Sequence, residues 1–141
     1  MHALLLAAAL VAQDPFRVGT ASAARGTVGR GAIEVPAGAD AALSIPVAVV
    51  NGAKPGPVLA VVSGAHGTEY ASIIAVERLI QLLDPQAVRG TVILVPLVNV
   101  PSFEQKIAHV NPIDGKSMNR FYPGKADGTQ TERASLAMTK E

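Results

Sequence analysis

The chain contains no cysteine, which excludes disulfides and thiolate ligands and leaves His, Asp and Glu as the side chains able to hold a metal. It has no tryptophan, and aromatic residues make up only 4% of it. It also lacks a block of one charge: twelve Lys and Arg stand against eleven Asp and Glu, a formal net charge of +1. That balance provides no electrostatic footprint for nucleic acid or an anionic lipid surface, so the partner expected is a small molecule. No apolar run approaches the roughly 18–20 residues that cross a bilayer. What is present is a chain of 141 residues, 49% hydrophobic and 16% charged, with 13 Gly and 10 Pro. That describes one folded, turn-rich domain rather than a disordered segment. The apolar run at residues 3–12 has the length of a signal-peptide h-region, although no Lys or Arg precedes it. Residues 1–12 are therefore read as a signal peptide, with export to the periplasm or medium if the signal is real and a cytoplasmic location otherwise.

Residues 13–43 read as a loop and edge-strand segment, rich in Gly, Ala, Ser and Thr, with one short apolar stretch at residues 32–35. Residues 44–50 read as a strand that Asn51-Gly52 ends, and Pro46 argues for an edge or for the beginning of that strand. Residues 58–62 are a continuous, β-branched run, expected as a strand buried on both faces inside a parallel sheet. Helical periodicity follows from about residue 69 to 83, with Ile73, Val76, Ile80 and Leu83 on one face and Asp84-Pro85 as the stop. Residues 91–95 form a second buried strand. Strand, helix and strand in this span predict a βαβ unit, hence an α/β fold with a partly parallel mixed sheet.

Ligands of open α/β sheets collect beyond the carboxyl ends of the strands, where His66 and Asn99 both fall. The octapeptide Ser63-Gly64-Ala65-His66-Gly67-Thr68-Glu69-Tyr70 sets an imidazole and a carboxylate three residues apart at a strand-to-helix turn. Zinc takes such donors at about 2.0–2.2 Å, so the pair makes half of a zinc site. The alternative is structural: Thr68-Glu69 as a helix N-cap and an acidic residue favoured by the helix dipole. Gly64 and Gly67 tilt the balance, because they permit positive φ and a close approach of backbone to ligand. A second constellation, Asn111-Pro112-Ile113-Asp114-Gly115-Lys116-Ser117-Met118-Asn119-Arg120-Phe121-Tyr122-Pro123-Gly124, is a polar loop centred on an Asn-Arg pair. Arg grips a carboxylate through two parallel hydrogen bonds, and a neighbouring Asn donates to the same anion; the alternative is a solvated loop with a surface Arg.

An HGxE element after a strand, followed some fifty residues later by NPIDGKSMNRFYPG, resembles the succinylglutamate desuccinylase/aspartoacylase family, relatives of the zinc carboxypeptidases. The resemblance runs from about Ile45 onward, and it assigns residues 44–141 to a zinc-hydrolase catalytic domain with a carboxypeptidase-like fold. It implies that His66 and Glu69 are zinc ligands, that Zn2+ is the cofactor, and that Asn119 and Arg120 bind the carboxylate of an N-acyl amino acid or similar substrate. The implied activity is hydrolysis of an amide or ester bond.

Two departures from the family pattern stand out. The arginine that the family commonly carries before the Asp-Gly turn has no counterpart in residues 103–110, where Lys106 and His109 are the cationic or donor groups on offer. The family's third zinc ligand and its catalytic Glu belong to later segments, so the domain is expected to be C-terminally incomplete, an N-terminal fragment lacking part of its site. Glu104, Asp114 and Glu132 are the nearest candidates for a base, and none is assigned. Two other readings stay open: a zinc carboxypeptidase acting on peptide or cell-wall fragments, and a non-catalytic carboxylate-binding remnant.

Overall fold

The computed structural model describes residues 15–141, and the proposed signal segment at residues 1–12 lies outside them. Strands β1 (Phe16–Val18) and β2 (Ala21–Ala23) form a short antiparallel hairpin. A four-stranded sheet follows, built from β3 (Thr27–Val35), β4 (Leu43–Asn51), β5 (Lys54–Val62) and β6 (Arg89–Val95) in the order β3-β4-β6-β5. The β3–β4 and β4–β6 pairs are antiparallel, and β5–β6 is parallel. Helix α1 (Tyr70–Leu82) makes the crossover between the parallel strands, so the βαβ unit and the mixed α/β sheet are both present. Two further helices, α2 (Val100–Gln105) and α3 (Gln130–Lys140), are separated by a single 3-10 turn at Met118–Arg120.

Alternation along β4 explains the two cores. Its odd residues Ile45, Val47 and Val49 join Ile93 and Val95 of β6 on one face, under the β1–β2 hairpin and Ala134 of α3. Its even residues Ala48 and Val50 join Leu94 on the other face, under Val76 and Ile80 of α1. A period of two in the strands meets a period of 3.6 in the helix, and each element buries its apolar side. Ile73, Val76 and Ile80 are buried as the periodicity predicts, while Leu83 is half-buried just past the end of the helix.

Three differences from the sequence reading have physical causes. The strand at residues 58–62 exists, but it is not buried on both faces: Val58, Leu59 and Val62 are 55%, 58% and 47% exposed. The cluster under helix α1 is built on β4 and β6 and includes β5, which stands at the sheet edge, only at the partly buried Val61. The N-terminal segment is more regular than its composition suggests, since β3 pairs with β4 over its whole length. Gly29 and Gly31 permit this, because a Cβ at either would collide with the backbone of β2 or of the turn before it. Pro46 lies in an interior strand, yet the β6 ladder begins only at Ala48, so Pro46 has a paired neighbour on one side alone and its missing N–H is tolerated.

Beyond their carboxyl ends, β5 and β6 remain laced together. The Ser63 amide donates to Val95 O at 2.9 Å, Val98 N to Ser63 O at 3.2 Å and Asn99 N to Gly64 O at 2.9 Å. This lacing fixes the turn that carries His66.

Candidate metal and substrate site

Gly64 takes φ +67, and a Cβ there would come within 2.8 Å of Leu97 Cα; here the glycine is needed for both conformation and space. Gly67 is needed for space alone. A Cβ on it would meet the backbone of Ser102 and Phe103 at the start of α2, so the close approach is to that helix rather than to a ligand. The Gly67 amide donates to the fully buried Ser102 Oγ at 2.9 Å, and that hydroxyl in turn donates to Ile107 O at 2.7 Å. Asn99 caps α2 by accepting from Ser102 N at 3.3 Å, while its own amide donates to Ala65 O at 3.2 Å. Ser102 and Asn99 are thus the scaffold of the turn. An Asn followed at the second position by Pro101 was the available sequence signal, as an N-cap before a first-turn proline.

Glu69 is the N-cap residue of α1, but its side chain makes no capping bond. Its Oε1 lies 3.0 Å from His66 Nδ1 instead. The structural alternative is corrected in one part: Glu69 rather than Thr68 is the N-cap residue, while its carboxylate still lies at the positive end of α1. The separation is that of a hydrogen bond, and an imidazole nitrogen beside a carboxylate oxygen is by its chemistry a donor set that suits zinc. Among the described residues, no group of three or more His, Asp or Glu stands together for a metal.

The second constellation reaches the first. Ser117 Oγ lies 3.3 Å from His66 Nε2 and donates to Asn119 Oδ1 at 2.8 Å. Asn119 and Arg120 are both exposed in the 3-10 turn, and the Arg120 guanidinium has no partner among the described residues. His109, at φ +66, sets its ring edge-on to His66 with centroids 5.2 Å apart. Of the two groups offered in place of the missing arginine, it is the one in contact with His66, while Lys106 takes a left-handed φ of 56 as the C-cap of α2.

The loop between these residues is held from below. Asn111, 3% exposed, donates to Gln130 Oε1 at 2.9 Å and accepts from Ile113 N at 2.9 Å. Asp114 accepts from Lys116 N at 3.1 Å, as its turn role predicts, and also binds Thr131 N and Oγ1 at 2.8 and 2.9 Å, at the start of α3. Burial pushes its carboxyl up, but the Thr131 amide and the other donors outweigh that and hold it below its ordinary value. Glu132 is held at about 2, first by Lys116 Nζ at 2.7 Å and then by the Thr129 amide at 3.0 Å. Both carboxylates are occupied in fastening the loop to α3. Glu104 is exposed on α2.

Comparison with known proteins identifies the family. Residues 55–141 match the succinylglutamate desuccinylase/aspartoacylase catalytic domain. The chain is 37% identical over 99 residues to an N-alpha-acetyl-L-2,4-diaminobutyric acid deacetylase of Halomonas elongata, covering 70% of this chain and 28% of that protein. An aspartoacylase family protein of Mesorhizobium loti superposes with a TM-score of 0.76 at 34% identity, over 91% of this chain and 40% of its own. The product-bound ectoine utilization protein EutE (DoeB) of Ruegeria pomeroyi gives a TM-score of 0.69 at 31% identity, over 77% of this chain and 34% of its own. The chain thus spans less than half the length of each. With the strand order, the His66–Glu69 turn and the Asn119–Arg120 loop in place, it belongs to the succinylglutamate desuccinylase/aspartoacylase family.

Proposed function

We propose that this chain forms part of a zinc-dependent deacylase that cleaves the amide or ester bond of an N-acyl amino acid or similar carboxylate substrate. The observation that carries the reading is the 3.0 Å approach of His66 Nδ1 to Glu69 Oε1, joined through Ser117 to the Asn119–Arg120 turn. His66 and Glu69 hold the ion, and zinc, when bound, supplies a Lewis acid for the scissile carbonyl. Arg120 takes the substrate carboxylate on its exposed guanidinium, with Asn119 beside it, so that binding energy aligns the reacting group. The deacetylase relative supports an acylated amino acid as the substrate class.

The test is hydrolysis by the intact protein, stripped of metal and then resupplied with zinc. N-acetyl amino acids should be cleaved only after zinc is restored, and their carboxyl-amidated analogues should be poor substrates. Release of free C-terminal amino acids from peptides, with N-acetyl amino acids untouched, would replace this reading with a carboxypeptidase. No zinc-dependent hydrolysis of either class would leave the carboxylate-binding remnant.

A further inference from the structure

We infer that Ser117 is a positioning residue that selects the nitrogen His66 offers to the metal and couples that choice to the orientation of Asn119. The inference rests on His66 and Glu69 being the metal ligands proposed above.

An imidazole has two distinct nitrogens, and the one that binds a metal is set by the hydrogen bond the other makes. His66 Nε2 faces Ser117 Oγ at 3.3 Å. A hydroxyl facing an imidazole nitrogen is ambiguous, since it can donate or accept. Asn119 removes the ambiguity: the Ser117 proton goes to Asn119 Oδ1 at 2.8 Å, so Ser117 meets His66 with a lone pair. Nε2 is then the nitrogen directed at an acceptor, and Nδ1 is the one directed at Glu69. Nδ1 lies 3.0 Å from Glu69 Oε1, within hydrogen-bond distance, so the metal would take the place of the proton shared there. The run of contacts from Asn119 through Ser117 to His66 thus turns Nδ1, not Nε2, toward the second proposed ligand.

Metal-binding histidines usually donate their second N–H to a carboxylate, a carbonyl or water. Here Asp114 and Glu132, of the loop and of α3, are engaged by Thr131 and Lys116, and the outer partner of His66 is a neutral hydroxyl. The same bond orients the substrate side. With its Oδ1 occupied by Ser117, Asn119 presents its amide hydrogens as the remaining polar contacts, which suits an anionic ligand.

Zinc binding to the intact, metal-stripped protein, measured by calorimetry, tests this without reference to turnover. Ser117→Ala should weaken zinc by about 10- to 100-fold, and Ser117→Thr, which keeps the hydroxyl, should restore most of the loss. Asn119→Ala should weaken zinc less than Ser117→Ala, and the double variant should be no weaker than Ser117→Ala alone, because the two act in series. The urea midpoint of the metal-free protein should not move with Ser117→Ala. Wild-type zinc affinity in Ser117→Ala, while His66→Ala abolishes binding, would overturn the role of Ser117. A loss that Thr does not rescue and that follows a lower urea midpoint would overturn it as well, in favour of packing. Unchanged zinc affinity in His66→Ala would instead remove the metal assignment on which the inference rests.

Discussion

Replacing Gly67 with alanine tests whether the glycine of the His-Gly turn serves the packing of that turn against α2. The added Cβ would lie 2.7 Å from both Phe103 Cα and Ser102 C, and closer still to Phe103 N. These are backbone atoms of a helix start capped by Asn99, so no side chain can swing aside. Overpacking of this kind costs about 1–3 kcal/mol. Separating the strands of chain also stretches the bond from Gly67 N to Ser102 Oγ, adding about 0.5–1.5 kcal/mol. The expected loss is about 1.5–4.5 kcal/mol, which at a urea slope of about 2 kcal/mol/M lowers the unfolding midpoint by roughly 1–2 M. Gly115→Ala is the control, since Gly115 has φ +70 but nothing within 4 Å of a Cβ; left-handed strain alone costs about 1–2 kcal/mol. Because His66 and Glu69 flank the turn, Gly67→Ala should also weaken zinc, whereas Gly115→Ala should affect it less. A Gly67→Ala midpoint no lower than that of Gly115→Ala would refute the steric argument.

Other perturbations give separable outcomes. The carboxyls of Asp114 and Glu132 are lowered in the folded chain, Glu132 from 4.5 to about 2, so the unfolded chain binds more protons in acid. Their stabilisation should be complete above about pH 4.5 and lost as pH falls toward 2; urea midpoints across that range should show the decline, and Glu132→Gln should flatten it. Leu94→Ala, at a position with no exposure, should cost about 2–5 kcal/mol in urea unfolding, and a smaller loss would mean that the α1 face collapses around the cavity. In the intact protein, Arg120→Gln should lower kcat/KM for carboxylate substrates by about 10- to 100-fold, the worth of a charge-assisted pair. Carboxyl-amidated analogues should be unaffected, and an equal fall for both would separate Arg120 from carboxylate recognition.

Where apolar periodicity was strong, sequence and structure coincide: β4, β6 and α1 are carried by alternating or helical burial that local sequence encodes. Five apolar residues in a row in β5 specify a strand but not which neighbour covers it. Gly29 and Gly31 look like turn residues in the sequence, and only the β2 backbone lying against them shows why β3 runs through both. At the site, His66, Glu69, Asn119 and Arg120 were readable as residue types in a pattern. Ser117 and Ser102 were not, since a serine's role depends on which donors and acceptors converge on it from remote parts of the chain.

The edge position of β5 divides that strand into two stretches of different character. Its first half carries Lys54, Pro55 and Pro57, a charge and two residues without an N–H, which together make a poor template for another strand. Its second half, from Val58 to Val62, carries no such guard, and Val58, Leu59 and Val62 offer apolar side chains to solvent. Among the described residues no strand lies on its outer side. Among the described residues, the carboxyl half of β5 is therefore the stretch open to pairing with another strand, and it leads within four residues into the turn that carries His66.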